Sequence, residues 1–165
     1  MQRNKEAREM LTDRFARTQG WGITVLRVVI GIVFLVHGAQ KLFGFGFDGV
    51  AGGFERLGIP LPLFFAVVVT LVEFLGGAAL ILGLFTRLVS IPLVVDMLVA
   101  TVLVHLPNGF FSMNGGYEYT LVLIAATVTL TLAGSGEAAL DKVLAAHGGL
   151  APARLLRSLK ASSPR

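Results

Sequence analysis

The sequence predicts an all-α integral membrane protein, an antiparallel four-helix bundle with both termini in the cytoplasm. Three observations predict it. Hydrophobic residues make up 55% of the 165 residues and charged residues 15%, and the mean hydropathy of +0.78 lies well above that of an ordinary soluble domain. Four apolar segments run without the strict alternation that marks the strands of a β-barrel. The basic residues gather at the two ends of the chain and leave the middle nearly uncharged.

The elements follow in order. Residues 1–20 form a basic tail containing Arg3, Lys5, Arg8, Arg14 and Arg17. No small-residue cleavage pattern follows the first apolar run, so the expectation is an uncleaved anchor. Helices are expected over 22–39, 62–85, 88–106 and 119–133. At ~1.5 Å rise per residue about 20 residues cross the hydrocarbon, so the first three are long enough and the fourth is marginal unless the bilayer thins locally. An even number of crossings places residues 40–61 and 107–118 together on the outer side, with a tight cytoplasmic turn at Thr86 and Arg87. The domain division is therefore a cytoplasmic tail, 1–20, a four-helix membrane domain, 21–134, and a second basic tail, 135–165. Ala7, Leu11 and Phe15 in the first tail, and Leu155, Leu156 and Leu159 in the last, recur at helical spacing among charges. Such segments either lie on the anionic inner leaflet or remain solvated.

Charge placement also excludes function classes. The formal charge of +4 comes from tails that flank a membrane region, with only Arg27, Lys41, Arg56 and Arg87 between them, so it does not indicate nucleic acid binding. The absence of cysteine excludes disulfides, thiolate metal sites and iron–sulfur clusters on this chain.

Ionisable residues inside apolar helices carry the functional argument, because each costs at least ~2.5 kcal/mol at the bilayer centre. Counting from the cytoplasmic ends, Arg27 lies ~9 Å in from Trp21, Asp96 ~12 Å from Leu88 and Glu73 ~18 Å from Phe85. These depths suggest a mid-membrane set of Arg27, Glu73 and Asp96, either an ion-pair network that fixes helix packing or a polar cavity with Glu73 and Asp96 as a proton relay. Asp96 and His105 are nine residues apart and project from opposite faces of the third helix. A second, outer set is therefore expected: His37, Lys41, His105 and Glu118, at the outer ends of their helices. Snorkelling and helix capping account for that layer equally well. Two histidines and a carboxylate suit zinc by type, but no short ligand spacing supports a metal, and none is expected.

The same residues lie in "HGAQKLFG" (37–44), "GIP" (58–60), "EFLGGAALILGLFTR" (73–87), "HLPNGFF" (105–111), "GGYEYTL" (115–121) and "GSGEAALD" (134–141). In this order they resemble the DoxX family of small four-helix membrane proteins over about two thirds of the chain. The resemblance implies a multi-pass protein of the bacterial or archaeal plasma membrane tied to redox metabolism, either as the membrane subunit of a thiosulfate:quinone oxidoreductase or as the scaffold of a complex that handles thiol and radical stress. It carries over His37, Lys41, Glu73, Arg87, His105 and Glu118, whereas Arg27 and Asp96 rest on membrane physics alone.

The expected chemistry is quinone or lipophilic-substrate binding among Arg27, His37, Lys41, Glu73, Asp96, His105 and Glu118. Donors would face two carbonyl oxygens and carboxyls would pass two protons. Electrons would have to come from a partner subunit, since the chain has no redox motif of its own. The partners expected are the lipid bilayer, a partner subunit or a second copy, and no nucleic acid. A non-catalytic scaffold and a small solute or proton carrier are the alternative readings.

Overall fold

The computed structural model describes residues 2–148. Their regular secondary structure is all helical, with no strand among them, and three helical stretches are long and apolar enough to cross a membrane: Arg14–Arg56, Pro62–Leu82 and Thr86–Asn108. The first contains α1 (Gln2–Ala39), a π-helical stretch (Gln40–Phe45) and α2 (Gly46–Arg56). It is followed by α3 (Pro62–Leu82) and by α4 (Thr86–Ala100), which continues as π-helix over Thr101–His105. A shorter apolar helix, α5 (Glu118–Ala133), and α6 (Leu140–Gly148) complete the chain. The stripe expected at Leu155, Leu156 and Leu159 lies outside the described residues.

Several boundaries differ from the sequence reading. Helix α1 begins at Gln2, so the basic segment before Trp21 continues the first apolar helix without a break. Helix α3 stops at Leu82, not Phe85, because Gly83 takes a left-handed conformation (φ +68°) and its N–H closes the last turn on Leu80. That glycine also has no room for a side chain, since a Cβ there would collide with the Arg27 guanidinium. The outer segment 40–61 is itself largely helical.

The packing places α1 against α3, α3 against α4, α4 against α5, and α5 back against α1, with α2 folded onto α3. Ile30, Phe34, Leu80, Leu93, Met97, Leu123, Ala126 and Leu130 form the shared core. The pattern is inverted relative to a water-soluble protein. Val29, Ile32, Leu71, Leu75, Val95 and Val128 face outward, whereas Thr24, Arg27, Thr70, Glu73, Thr86, Ser90, Thr120 and Thr127 are buried. Such a surface suits lipid, where the polar groups must find partners inside. Thr127 and Ser90 do so by donating to carbonyls one turn back, Leu123 O and Thr86 O.

The closest approach is between α1 and α3. A Cβ on Gly31 would stand 2.9 Å from Gly77 O, and one on Gly77 would collide with the backbone of Leu35, as one on Gly38 would with that of Phe74. Glycines therefore let the two backbones touch, the usual route to tight helix pairing in membranes. Introducing a leucine at Gly77 should destabilise the protein by about 1–3 kcal/mol or more through overpacking, whereas Gly22→Ala, at an open position, should change stability by less than about 0.5 kcal/mol. Thermal unfolding in detergent micelles reads both, and a Gly77→Leu protein as stable as wild type would refute the close contact.

Candidate functional site

Antiparallel pairing sets which charges share a level. Gly38 lies against Phe74, so Lys41, one turn beyond Gly38, reaches Glu73. Gly76 lies against Leu93 across the α3–α4 hairpin, so Glu73 and Asp96, each one turn further from the connection, stand level. The Lys41 ammonium donates to Glu73 Oε2 in a tight ion pair. Asp96 lies beside the same pair, close enough to interact with the Glu73 carboxyl and with Lys41. Glu73 is 3% exposed and sits near the centre of the 21-residue α3, which at ~1.5 Å per residue spans about 30 Å. Lysine and two carboxyls thus meet in the middle of the apolar region.

This grouping corrects the sequence-based one. Arg27 was expected with Glu73 and Asp96, but it packs at the α3–α4 turn, where Nη2 donates to Ala138 O and Asp141 is its nearest opposite charge. Depth counted from Trp21 places Arg27 too deep, because α1 does not begin there. Lys41 was expected in the outer layer and instead belongs to the central cluster. The outer layer itself does not assemble. His37 is exposed on α1, and His105 and Glu118 serve the α4–α5 connection. His105 Nδ1 pairs with Gly115 O at 2.7 Å, and Glu118 Oε2 accepts from Ser112 N (3.0 Å) and Ser112 Oγ (3.1 Å). Among the described residues no three His, Cys, Asp or Glu side chains are grouped to hold a metal.

The central cluster is incompletely satisfied. Among the described residues, Asp96 Oδ2 and the hydroxyl of Thr70, a fully buried residue one turn from Glu73 on the same helix, have no hydrogen-bond partner. The Asp96 and Glu73 carboxyls are neighbours, and an ionised carboxylate only accepts. The cluster therefore offers one ammonium donor, one hydroxyl donor and two neighbouring carboxyls. Phe43 and Phe74 meet edge to face at 6.0 Å beside the pair. Thr70 carries no signal in the sequence beyond its place one turn from Glu73.

A second polar assembly closes the opposite end. The segment between α5 and α6 crosses the middle of α1, where Thr24 Oγ1 accepts from Glu137 N (2.9 Å) and Ala138 N (3.4 Å). Asp141 accepts from Phe85 N (2.7 Å) and Thr86 N (3.1 Å), capping α4. These contacts locate "GSGEAALD" as a strap holding three helices together.

Fold and site together define a helical integral membrane protein with an ion-paired carboxyl cluster in its interior. The DoxX family model matches residues 22–106, and the chain belongs to the DoxX family. It is 34% identical over 142 residues to the "Uncharacterized membrane protein Rv3486" of Mycobacterium tuberculosis, covering 80% of this chain and 86% of that one. It is 36% identical over 121 residues to the "Putative oxidoreductase CatD" of Bacillus subtilis, covering 73% and 84%. The "Inner membrane protein YphA" of Escherichia coli is 23% identical over 128 residues, covering 73% and 88%. No solved structure matches the chain.

If the cluster is an ion-paired unit, removing its cation alone leaves uncompensated buried carboxyls. Lys41→Met should cost about 3–5 kcal/mol, and adding Glu73→Leu and Asp96→Leu to it should recover most of the loss. Unfolding of the three proteins in micelles measures this, and a Lys41→Met variant of wild-type stability would remove the pairing from the argument.

Proposed function

We propose that this protein is the membrane subunit of a quinone-linked oxidoreductase complex and binds a quinone, or a lipophilic substrate of that chemistry, at Lys41, Glu73, Asp96 and Thr70. The observation that carries the reading is the buried Glu73 ion-paired to a half-buried Lys41 beside Asp96 at mid-depth, with Asp96 Oδ2 and Thr70 Oγ1 left without partners among the described residues. Orphaned buried polar atoms beside two neighbouring carboxyls fit a ligand bearing carbonyl oxygens. The oxidoreductase wording in the name of the Bacillus subtilis relative supports the same class.

In this reading Lys41 and Thr70 donate to the carbonyl oxygens, and Glu73 and Asp96 hold protons beside them and pass them on. Reduction of a quinone to a quinol consumes two electrons and two protons. The electrons come from a partner subunit that oxidises thiosulfate or a thiol, since this chain has no cysteine. The proposal includes α5 as a fourth crossing, both termini in the cytoplasm, and basic tails at 1–20 and 135–165 flanking the membrane domain. Helix α5 has 16 residues, ~24 Å, and needs only modest thinning of the bilayer to span it.

Gentle detergent purification followed by quinone extraction and quantification tests the site. Wild type should retain quinone near one per chain, and Glu73→Gln and Lys41→Met should each retain less than about a tenth of that, consistent with loss of a buried charged partner. Variants that stay monodisperse and keep their quinone would remove the assignment to this cluster. Absence of quinone from wild type would favour the scaffold reading.

A further inference from the structure

We propose that the groove at the α3–α4 turn binds the phosphodiester headgroup of an anionic phospholipid, with Arg87 as its cationic partner. The groove encloses about 310 Å³ and is lined by Phe85, Arg87, Leu88, Gly134, Ser135 and Asp141. It lies between two helices of membrane-spanning length, at the turn that joins them, which is the level where lipid headgroups meet hydrocarbon. It is independent of the central cluster, which stands several turns deeper.

The groove is built to present a cation. Arg87 is anchored at one corner, with Nη2 donating to Ala133 O at 3.3 Å. Its guanidinium lies over Gly134, where a Cβ would stand 3.0 Å from Nε. Among the described residues Nε, Nη1 and the Ser135 hydroxyl take no protein partner, so three donors remain available in one place. Asp141 supplies the opposing charge, but its carboxylate accepts from Phe85 N and Thr86 N and lies in the field of the buried Arg27. Arg87 is therefore the uncompensated charge of the groove. A planar guanidinium with free N–H groups suits phosphate oxygens.

The lining selects a lipid over a soluble anion. Phe85 and Leu88 are 56% and 67% exposed and form an apolar wall that continues into the outward faces of Ile91 on α4 and Leu132 on α5. Inorganic phosphate would use the cation and leave that wall uncovered, whereas a phospholipid uses both, with its acyl chains along the helices. Arg14 and Arg17 lie on α1, whose Gly20 meets the strap beside the groove, and add positive potential at the same end of the protein.

The full chain, washed free of lipid in mild detergent, would be titrated with short-chain phosphatidylglycerol, short-chain phosphatidylcholine and inorganic phosphate, with native mass spectrometry reading the bound fraction. Phosphatidylglycerol should occupy one saturable site about tenfold more tightly than phosphatidylcholine. Arg87→Gln should lose about tenfold, Arg87→Lys should lose less, and Arg14→Gln, which removes only distant positive potential, should lose less than about twofold. Equal binding of the two lipids, an unaffected Arg87→Gln, an equal loss in Arg14→Gln, or displacement of the lipid by phosphate at comparable concentration would each overturn the proposal. Thermal unfolding checks every variant. If Arg87→Gln does not fold, Arg87→Lys and Ser135→Ala decide the question: a measurable loss in either supports it, and no loss in both overturns it.

Discussion

Backbone contact between α1 and α3 sets the register on which the rest of the molecule depends. Gly31, Gly38 and Gly77 have no side chains to hold the helices apart, so carbonyl and amide groups of one helix meet those of the other. In lipid, where burying apolar surface offers no net gain between helices, such close dispersion contact is what associates them. The register it fixes brings Lys41 down to Glu73 and leaves Arg27 level with Gly83. A shift of one turn, ~5.4 Å along the axis, would separate the ammonium from its carboxylate. The electrostatics of the interior therefore follow from the glycine pattern.

Two polar assemblies result, and they differ in what supplies their partners. At the α3–α4 turn, backbone amides, Asp141, Thr24 and Ala138 O account for much of the hydrogen bonding, although Arg27 Nε and Nη1 and the Thr86 hydroxyl have no partner among the described residues. The strap ties the middle of α1 and the start of α4 to the segment after α5, and its glycines are small because the helices leave little space beneath it. A Cβ on Gly136 would stand 2.6 Å from both Gly20 O and Thr24 Oγ1. At mid-depth the contacts are fewer and purely between side chains. That difference separates an assembly built largely on backbone groups from one built on side chains alone.

Much of this was legible in the sequence, and the part that was not has an identifiable cause. Composition and continuous apolar runs were enough for an all-helical membrane protein, and Glu73 and Asp96 stood out because a carboxyl is costly within an apolar helix. Their partner did not stand out. Depth along a helix was counted from the first apolar residue, but α1 starts at Gln2 and α3 stops at Leu82, so each count carried its own error. Counting outward from the α3–α4 turn puts Glu73 and Asp96 level, and pairing Gly38 with Phe74 puts Lys41 beside them. His105 and Glu118 were expected in a shared outer layer because both end helices there. Loop closure claimed them instead, since Ser112 N and Gly115 O offered partners only a few residues away.

The lysine is what allows two carboxyls to be buried together. Paired side by side in an apolar medium, two ionised carboxylates would repel each other and would lack the solvation each requires. In the proposed reading one ammonium compensates one charge and a single proton held by the acids neutralises the other, which leaves the cluster formally uncharged. That state suits lipid and also suits exchange, because taking up or releasing one proton changes the cluster by a full charge that the surrounding helices do not screen. Any ligand entering between Lys41, Thr70 and Asp96 competes for the same donors, so occupancy and proton content are coupled by geometry. In that reading the coupling needs no conformational change: it follows from placing two acids beside one ammonium, where neutrality requires one proton on the pair.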